Sequence, residues 1–232
     1  NCRGINEQAK REQIIKNMRN LNIDILAIQE TKISSCSHEI KQREGTGEKH
    51  YFYFSSKNAR VAPVAMAKAK AKPKPKPKPK AKGQPKAKAK AKARTHNNNW
   101  EPLGVGMVLS ARAKTYLKDV IPTNSRMMEI ILNSCGPDVH IINHYAPHSG
   151  SKPEEKDTHW DILRQHTEKI TRQHPLYILG DTNARLRGPT NDDERKIMGD
   201  FTFGKGGDYV DQMTEDMIEN RQYLVDFRIQ KR

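Results

Sequence analysis

The sequence predicts a layered α/β protein, and three observations carry that prediction. Short apolar runs at residues 23–28, 104–110, 127–132, 139–145 and 176–179 alternate with longer amphipathic stretches at 7–21, 154–173 and 211–230. Strands alternating with helical patterns give sheets with helices on their faces. The runs are also apolar almost throughout, as in strands covered on both faces. Finally, several runs end in polar groups, Gln29-Glu30-Thr31-Lys32 after one and Gly180-Asp181-Thr182-Asn183 after another. In layered α/β proteins ligands collect beyond the carboxyl ends of the strands.

Taken in order, Asn1-Cys2-Arg3-Gly4 reads as the tail of a strand closed by a glycine turn, so the chain opens in mid-domain. Residues 7–21 place Ile14, Ile15, Met18 and Leu21 at helical spacing, with Asn22 as the stop. Residues 23–28 form a buried strand that delivers Glu30 to its end, and 51–55 a short aromatic strand. Strands follow at 104–110, 127–132 and 139–145, the last turning at Ala146-Pro147-His148-Ser149-Gly150. A helix at 154–173 shows Trp160, Leu163, His166 and Ile170 on one face. The run Leu176-Tyr177-Ile178-Leu179 is a strand covered on both faces, residues 186–209 a loop, and 211–230 a helix through Met213, Met217, Leu224 and Phe227. Alone, Gly180-Asp181-Thr182-Asn183 fits two roles: a turn in which Asp181 and Asn183 bond the backbone, or the edge of a cleft.

The charge is not evenly spread. Residues 57–99 hold 13 Lys and 2 Arg with no Asp or Glu, which equals the net +15 of all 232 residues. The remainder balances 27 basic against 27 acidic side chains. Lys-Pro alternation at 72–80, with Lys74, Lys76 and Lys78 at its centre, favours extended polyproline backbone and has too little apolar surface to fold. The reading is one domain at 1–56 and 100–232, interrupted by a disordered insertion at 57–99. Such a tract binds polyanions, DNA among them, by releasing counterions and without reading sequence; the alternative is a low-complexity repeat with no role of its own. Three separated cysteines without a metal-ligand spacing indicate neither a disulfide framework nor a zinc site, hence a reducing compartment. No apolar stretch approaches the ~20 residues of a membrane span. The basic tract points to a nuclear address, the protein otherwise being intracellular, and nothing in the pattern calls for more than a monomer.

The order of the motifs is more specific than any one of them. Asn1-x-Arg3-Gly4, Ile28-Gln29-Glu30-Thr31-Lys32, Gly104-Val105-Gly106-Met107, Asn143-x-Tyr145-Ala146-Pro147 and Gly180-Asp181-x-Asn183-Ala184-Arg185 together resemble the endonuclease/exonuclease/phosphatase superfamily. The likeness is greatest to the apurinic-type endonuclease domains of non-LTR retrotransposons. It implies a four-layer α-β-β-α sandwich of two packed mixed sheets and a Mg2+-dependent phosphodiesterase site, with Mn2+ as a substitute. On that resemblance Glu30 is the metal-ligating carboxylate, supported by Asn1; Asp181 orients or deprotonates the attacking water; Asn183 bonds a phosphate oxygen; and Tyr145 contacts the phosphate. Arg3 stands where repair enzymes of the superfamily carry an acidic ligand, and His148 where an Asn is usual. Both, with Arg185 and the insert lysines, are candidate phosphate or DNA contacts. The family also uses a C-terminal Ser-Asp-His, yet no histidine follows His174. The expectation is a domain lacking its terminal strands, inactive or severely impaired by itself.

Three function classes result: a metal-dependent DNA endonuclease domain; a noncatalytic remnant that binds DNA through its insert; and a phosphatase acting on inositol lipids or small phosphoesters.

Overall fold

The computed structural model describes residues 1–33, 40–43, 47, 49–56, 104–186, 188–198 and 213–231. The insertion expected at 57–99, with Lys74, Lys76 and Lys78, lies outside the described residues. Residues 1–61 and 102–232 belong to one compact unit.

Two four-stranded sheets form its centre. The first is β1 (Ile25–Gln29), β4 (Val105–Ser110), β3 (Lys49–Ser55) and β2 (Ile40–Arg43), in that spatial order and antiparallel throughout. The second runs β5 (Leu117–Asn124), β6 (Met127–Leu132), β7 (Val139–Tyr145), β8 (Leu176–Asp181). Its first three strands are antiparallel, and β7 pairs with β8 in parallel. A parallel neighbour requires a crossover. Here it contains α3 (Pro153–Glu168), which starts on Pro153 and carries Glu154 and Glu155 in its first turn, where helix dipole and proline geometry favour them.

Alternation along the strands builds the layers. Tyr53, Val105, Met107 and Leu109 of the first sheet meet Met128, Ile130, Ile141 and Tyr145 of the second in the central core. The intervening residues Phe52, Phe54 and Val108 point outward, against Ile15 and Met18 of α1 (Gln8–Asn20). On the other side Met127 and Ile142 receive Trp160 and Leu163 of α3 and Phe227 of α5 (Glu215–Gln230). Both strand faces are buried, which is why the strands read as unbroken apolar runs. The result is the four-layer α-β-β-α sandwich that the sequence led us to expect. Fully buried side chains such as Phe52, Phe54 and Ile15 each contribute roughly 1.5–3 kcal/mol.

Several elements depart from the sequence reading. β5 and β2 were not foreseen: β5 carries Lys118, Asp119 and Pro122, and proline is tolerated there because β5 is a sheet edge. The one-turn helices α2 (Ala111–Lys114) and α4 (Asp192–Arg195) are capped by the side chains of Ser110 and Asn191. Helix α3 ends five residues earlier than expected, and Leu21, expected on the buried face of α1, is 68% exposed because it is already past the last turn. β8 is not covered on both faces. It is an edge strand, and Tyr177 and Leu179, in register with the inward-facing Ile141 and Asn143, are 57% and 36% exposed. Residues 2–5 run alongside the end of β1 through backbone bonds from Cys2, Gly4 and Ile5 to Gln29, Glu30 and Thr31.

Candidate active site

The parallel register of β7 and β8 sets Tyr145 opposite Asp181. Gly180 makes this possible. It has φ +134°, and a Cβ there would lie 1.9 Å from the carbonyl oxygen of His144. Across the sandwich β1 ends at Gln29. A buried carboxamide pair ties the two sheets behind the site: Gln29 Nε2 donates to Asn143 Oδ1 (2.8 Å), and Asn143 Nδ2 donates to the carbonyls of Ile28 (3.0 Å) and Gly106 (2.7 Å). Glu30 and Tyr145, one and two residues further along their chains, are thereby brought face to face.

The groups meet in one chain of hydrogen bonds. Asn1 Nδ2 donates to Glu30 Oε1 (2.9 Å) and, at 3.4 Å, to Asp181 Oδ2. Tyr145 Oη donates to the same Glu30 oxygen at 3.1 Å. Asp181 Oδ1 accepts from the backbone N–H of Asn183 (2.9 Å), whose side-chain Nδ2 donates to Ala146 O (2.7 Å). Burial first, and then the bond to Glu30, push the Tyr145 hydroxyl above its ordinary pKa, so it keeps its proton and remains a donor.

Backbone strain collects at the same rim. Five described non-glycine residues have positive φ, and four of them, Arg3 (48°), Glu30 (57°), Lys32 (56°) and Asn183 (46°), stand at this end of the sheets. Such conformations persist only where surrounding contacts fix them, and they cluster at functional sites.

The structure therefore brings together Asn1, Glu30, Tyr145, Asp181 and Asn183. Arg3, His148 and Arg185 are exposed, and among the described residues no hydrogen bond joins them to that network. Sequence reasoning did not find Arg126. Its guanidinium lies 5.5 Å from the centre of the Tyr145 ring and donates to Tyr145 O at 3.4 Å, adding a cation beside the phenol. A lone arginine before an apolar strand gives no pattern to detect. Nor did it assign a role to Asn220, which approaches from α5.

Chemically, Glu30, Asp181 and the Asn1 carboxamide offer oxygen donors. Among the described residues no group of three or more His, Cys, Asp or Glu gathers as a preformed metal cage. That donor set suits a hard cation of the magnesium type, which is bound by one or two carboxylates and completes its shell with water and substrate phosphate. The expected metal residues therefore fit the group.

No curated protein matches the chain. A profile of the Endonuclease/Exonuclease/phosphatase family matches residues 1–214. That family comprises nucleases and phosphatases, generally hydrolases of phosphodiester bonds that typically use divalent metals. The profile spans both sheets, every residue of the Asn1–Glu30–Tyr145–Asp181 network and the Asn183 loop, and the chain belongs to the endonuclease/exonuclease/phosphatase family.

Proposed function

We propose that this chain is a divalent-metal-dependent phosphodiesterase acting on DNA, of the type carried by non-LTR retrotransposons. The observation that supports it most is the single hydrogen-bond chain joining Tyr145, Glu30, Asn1 and Asp181 at the ends of strands from both sheets. The retrotransposon affinity rests on Tyr145-Ala146-Pro147-His148 and Asn183-Ala184-Arg185.

Glu30, supported by Asn1, would hold the cation; when bound, the metal neutralises charge on the phosphoryl oxygens. Asp181 is held through Oδ1 by the Asn183 N–H, so that Oδ2, which takes the longer 3.4 Å bond from Asn1, can accept a proton from an attacking water. Asn183 spends one amide hydrogen on Ala146 O and retains the second for a phosphate oxygen. Tyr145, kept protonated, can turn its hydroxyl from Glu30 to the phosphate. Positioned donors of this kind lower the barrier because they need not reorganise as charge develops.

With purified chain and supercoiled plasmid we expect Mg2+-dependent nicking, lost on adding EDTA and in Glu30→Gln or Asp181→Asn. Nicking retained in either variant, or unaffected by EDTA, would refute the site.

The lysine tract favours a second reading, a noncatalytic polyanion-binding role. Deleting residues 60–94 should weaken DNA affinity and flatten its dependence on salt, since each neutralised phosphate contributes about 0.9 to the slope. An unchanged slope rules that role out.

A further inference from the structure

We propose that Asn220 is a positioning residue of the active site, holding the loops after β7 and β8 in the geometry the reaction needs. The inference rests on the phosphodiesterase reading above, and goes beyond it by assigning a role to α5.

Asn220 is 3% exposed, and its Nδ2 donates both hydrogens inward: to the carbonyl of Asn183 at 3.0 Å and to that of Pro147 at 3.1 Å. One carbonyl belongs to the loop that carries Asp181 and Asn183, the other to the loop that follows Tyr145. The same two loops are joined directly by Ala146 N–H to Asp181 O (2.9 Å) and by Asn183 Nδ2 to Ala146 O (2.7 Å). Asn220 closes this lattice from the helix side.

The backbone of Asn183 shows why the closure matters. Its φ of +46° is a left-handed conformation that asparagine tolerates without preferring it. In that conformation its N–H meets Asp181 Oδ1, its carbonyl faces Asn220, and its side chain reaches Ala146. Among the described residues Asn220 is the donor to this carbonyl; without it, relaxation to negative φ would turn the N–H away from Asp181 and the carboxamide away from the phosphate position. The same amide would then no longer hold Asp181 through Oδ1.

The helix itself is rigidly seated at this point. Arg221, the next residue, makes a two-pronged pair with Glu194 (3.1 and 2.6 Å) with both side chains 4% exposed. Phe227, two turns on, packs against Trp160. Asn220 is thus an amide on a fixed support, aimed at two loops, one of which carries the left-handed Asn183. A buried asparagine could instead serve only to satisfy two carbonyls. The distinction is measurable, because a purely structural role predicts loss of stability without local loosening of the catalytic loops.

The test is Asn220→Ala and Asn220→Asp in the full 232-residue chain, the second keeping shape while replacing the donor by an acceptor. Hydrogen exchange of the Asn183 and Ala146 amides should accelerate at least about 10-fold in both variants, with the β3–β4 and β6–β7 ladder amides unchanged. In the nicking assay kcat should fall about 10–100-fold, as for supporting residues around other reactive centres, with KM for DNA within about 3-fold of wild type. Unchanged exchange at Asn183 and Ala146, or a uniform acceleration across all amides, would overturn the inference. Hydrogen exchange needs no turnover, so an inactive wild-type chain would refute the phosphodiesterase reading while leaving the placement of Asn220 decided by exchange alone.

Discussion

Lowering the pH from 7 to 5 should weaken the fold by about 2 kcal/mol through His144 alone. This residue is 1% exposed and stacks on His159, with Nδ1 3.2 Å from His159 Nε2 and Trp160 edge-on to both rings. Burial pushes its pKa down to about 4, and the charge of Asp181 only partly opposes it. His159 is lowered as well, by burial, by His144 and by Arg126. A histidine whose folded pKa lies below the ~6.5 of the unfolded chain contributes its full stability above pH 6.5 and loses it as the pH falls towards the folded value. Between pH 7 and 5 the shift to about 4 integrates to the ~2 kcal/mol above. With an m-value of about 2 kcal/mol/M the urea midpoint moves by about 1 M. Trp160 fluorescence is the natural probe, since that ring touches both imidazoles. Glu194, held down to about 2 chiefly by Arg221, titrates below the window and does not confuse it. In His144→Gln the part of the shift due to His144 should vanish, while the part due to His159, whose pKa is lowered chiefly by its own burial, remains. A wild-type midpoint that does not move between pH 7 and 5, or an equal shift in the variant, would refute the argument that these two histidines are buried neutral.

Other substitutions test the supports of the site. Arg221→Met strands the Glu194 carboxylate in the interior and should cost about 3–5 kcal/mol in urea denaturation, most of it recovered by adding Glu194→Gln; equal stability of single and double variants would count against the pair. Gly180→Ala forces a Cβ to 1.9 Å from His144 O at a backbone angle that side chains avoid, and should destabilise by more than about 3 kcal/mol or prevent soluble expression, while a well-folded variant would show that β7 and β8 do not approach as closely as described.

What the sequence revealed, and what it hid, follows from the layer structure. Strands buried on both faces, β1, β4, β6 and β7, announce themselves as apolar runs. β2 (Ile40–Arg43) and β5, with their lysines, arginine, aspartate and proline, are sheet edges whose pairing depends on neighbours rather than on their own pattern. β8 was located but misjudged, because Leu176-Tyr177-Ile178-Leu179 is as apolar as a central strand while occupying an edge. At the site, Glu30 and Asp181 were legible as carboxylates at strand ends, and Asn1, Tyr145 and Asn183 through motif order. Arg126 and Asn220 were not, since their relevance comes from register and helix packing. Helix α5 illustrates the difficulty: Asn220 and Arg221 are among its buried residues, so its buried face is partly polar and its periodicity faint.

The proposed function requires Glu30, supported by Asn1, to hold a divalent cation beside Asp181, and Mn2+ titration followed by water-proton relaxation tests this without requiring turnover. Saturable, EDTA-reversible enhancement is expected in the wild-type chain, lost in Glu30→Gln and weakened in Asp181→Asn. The same titration curve in all three proteins would contradict it.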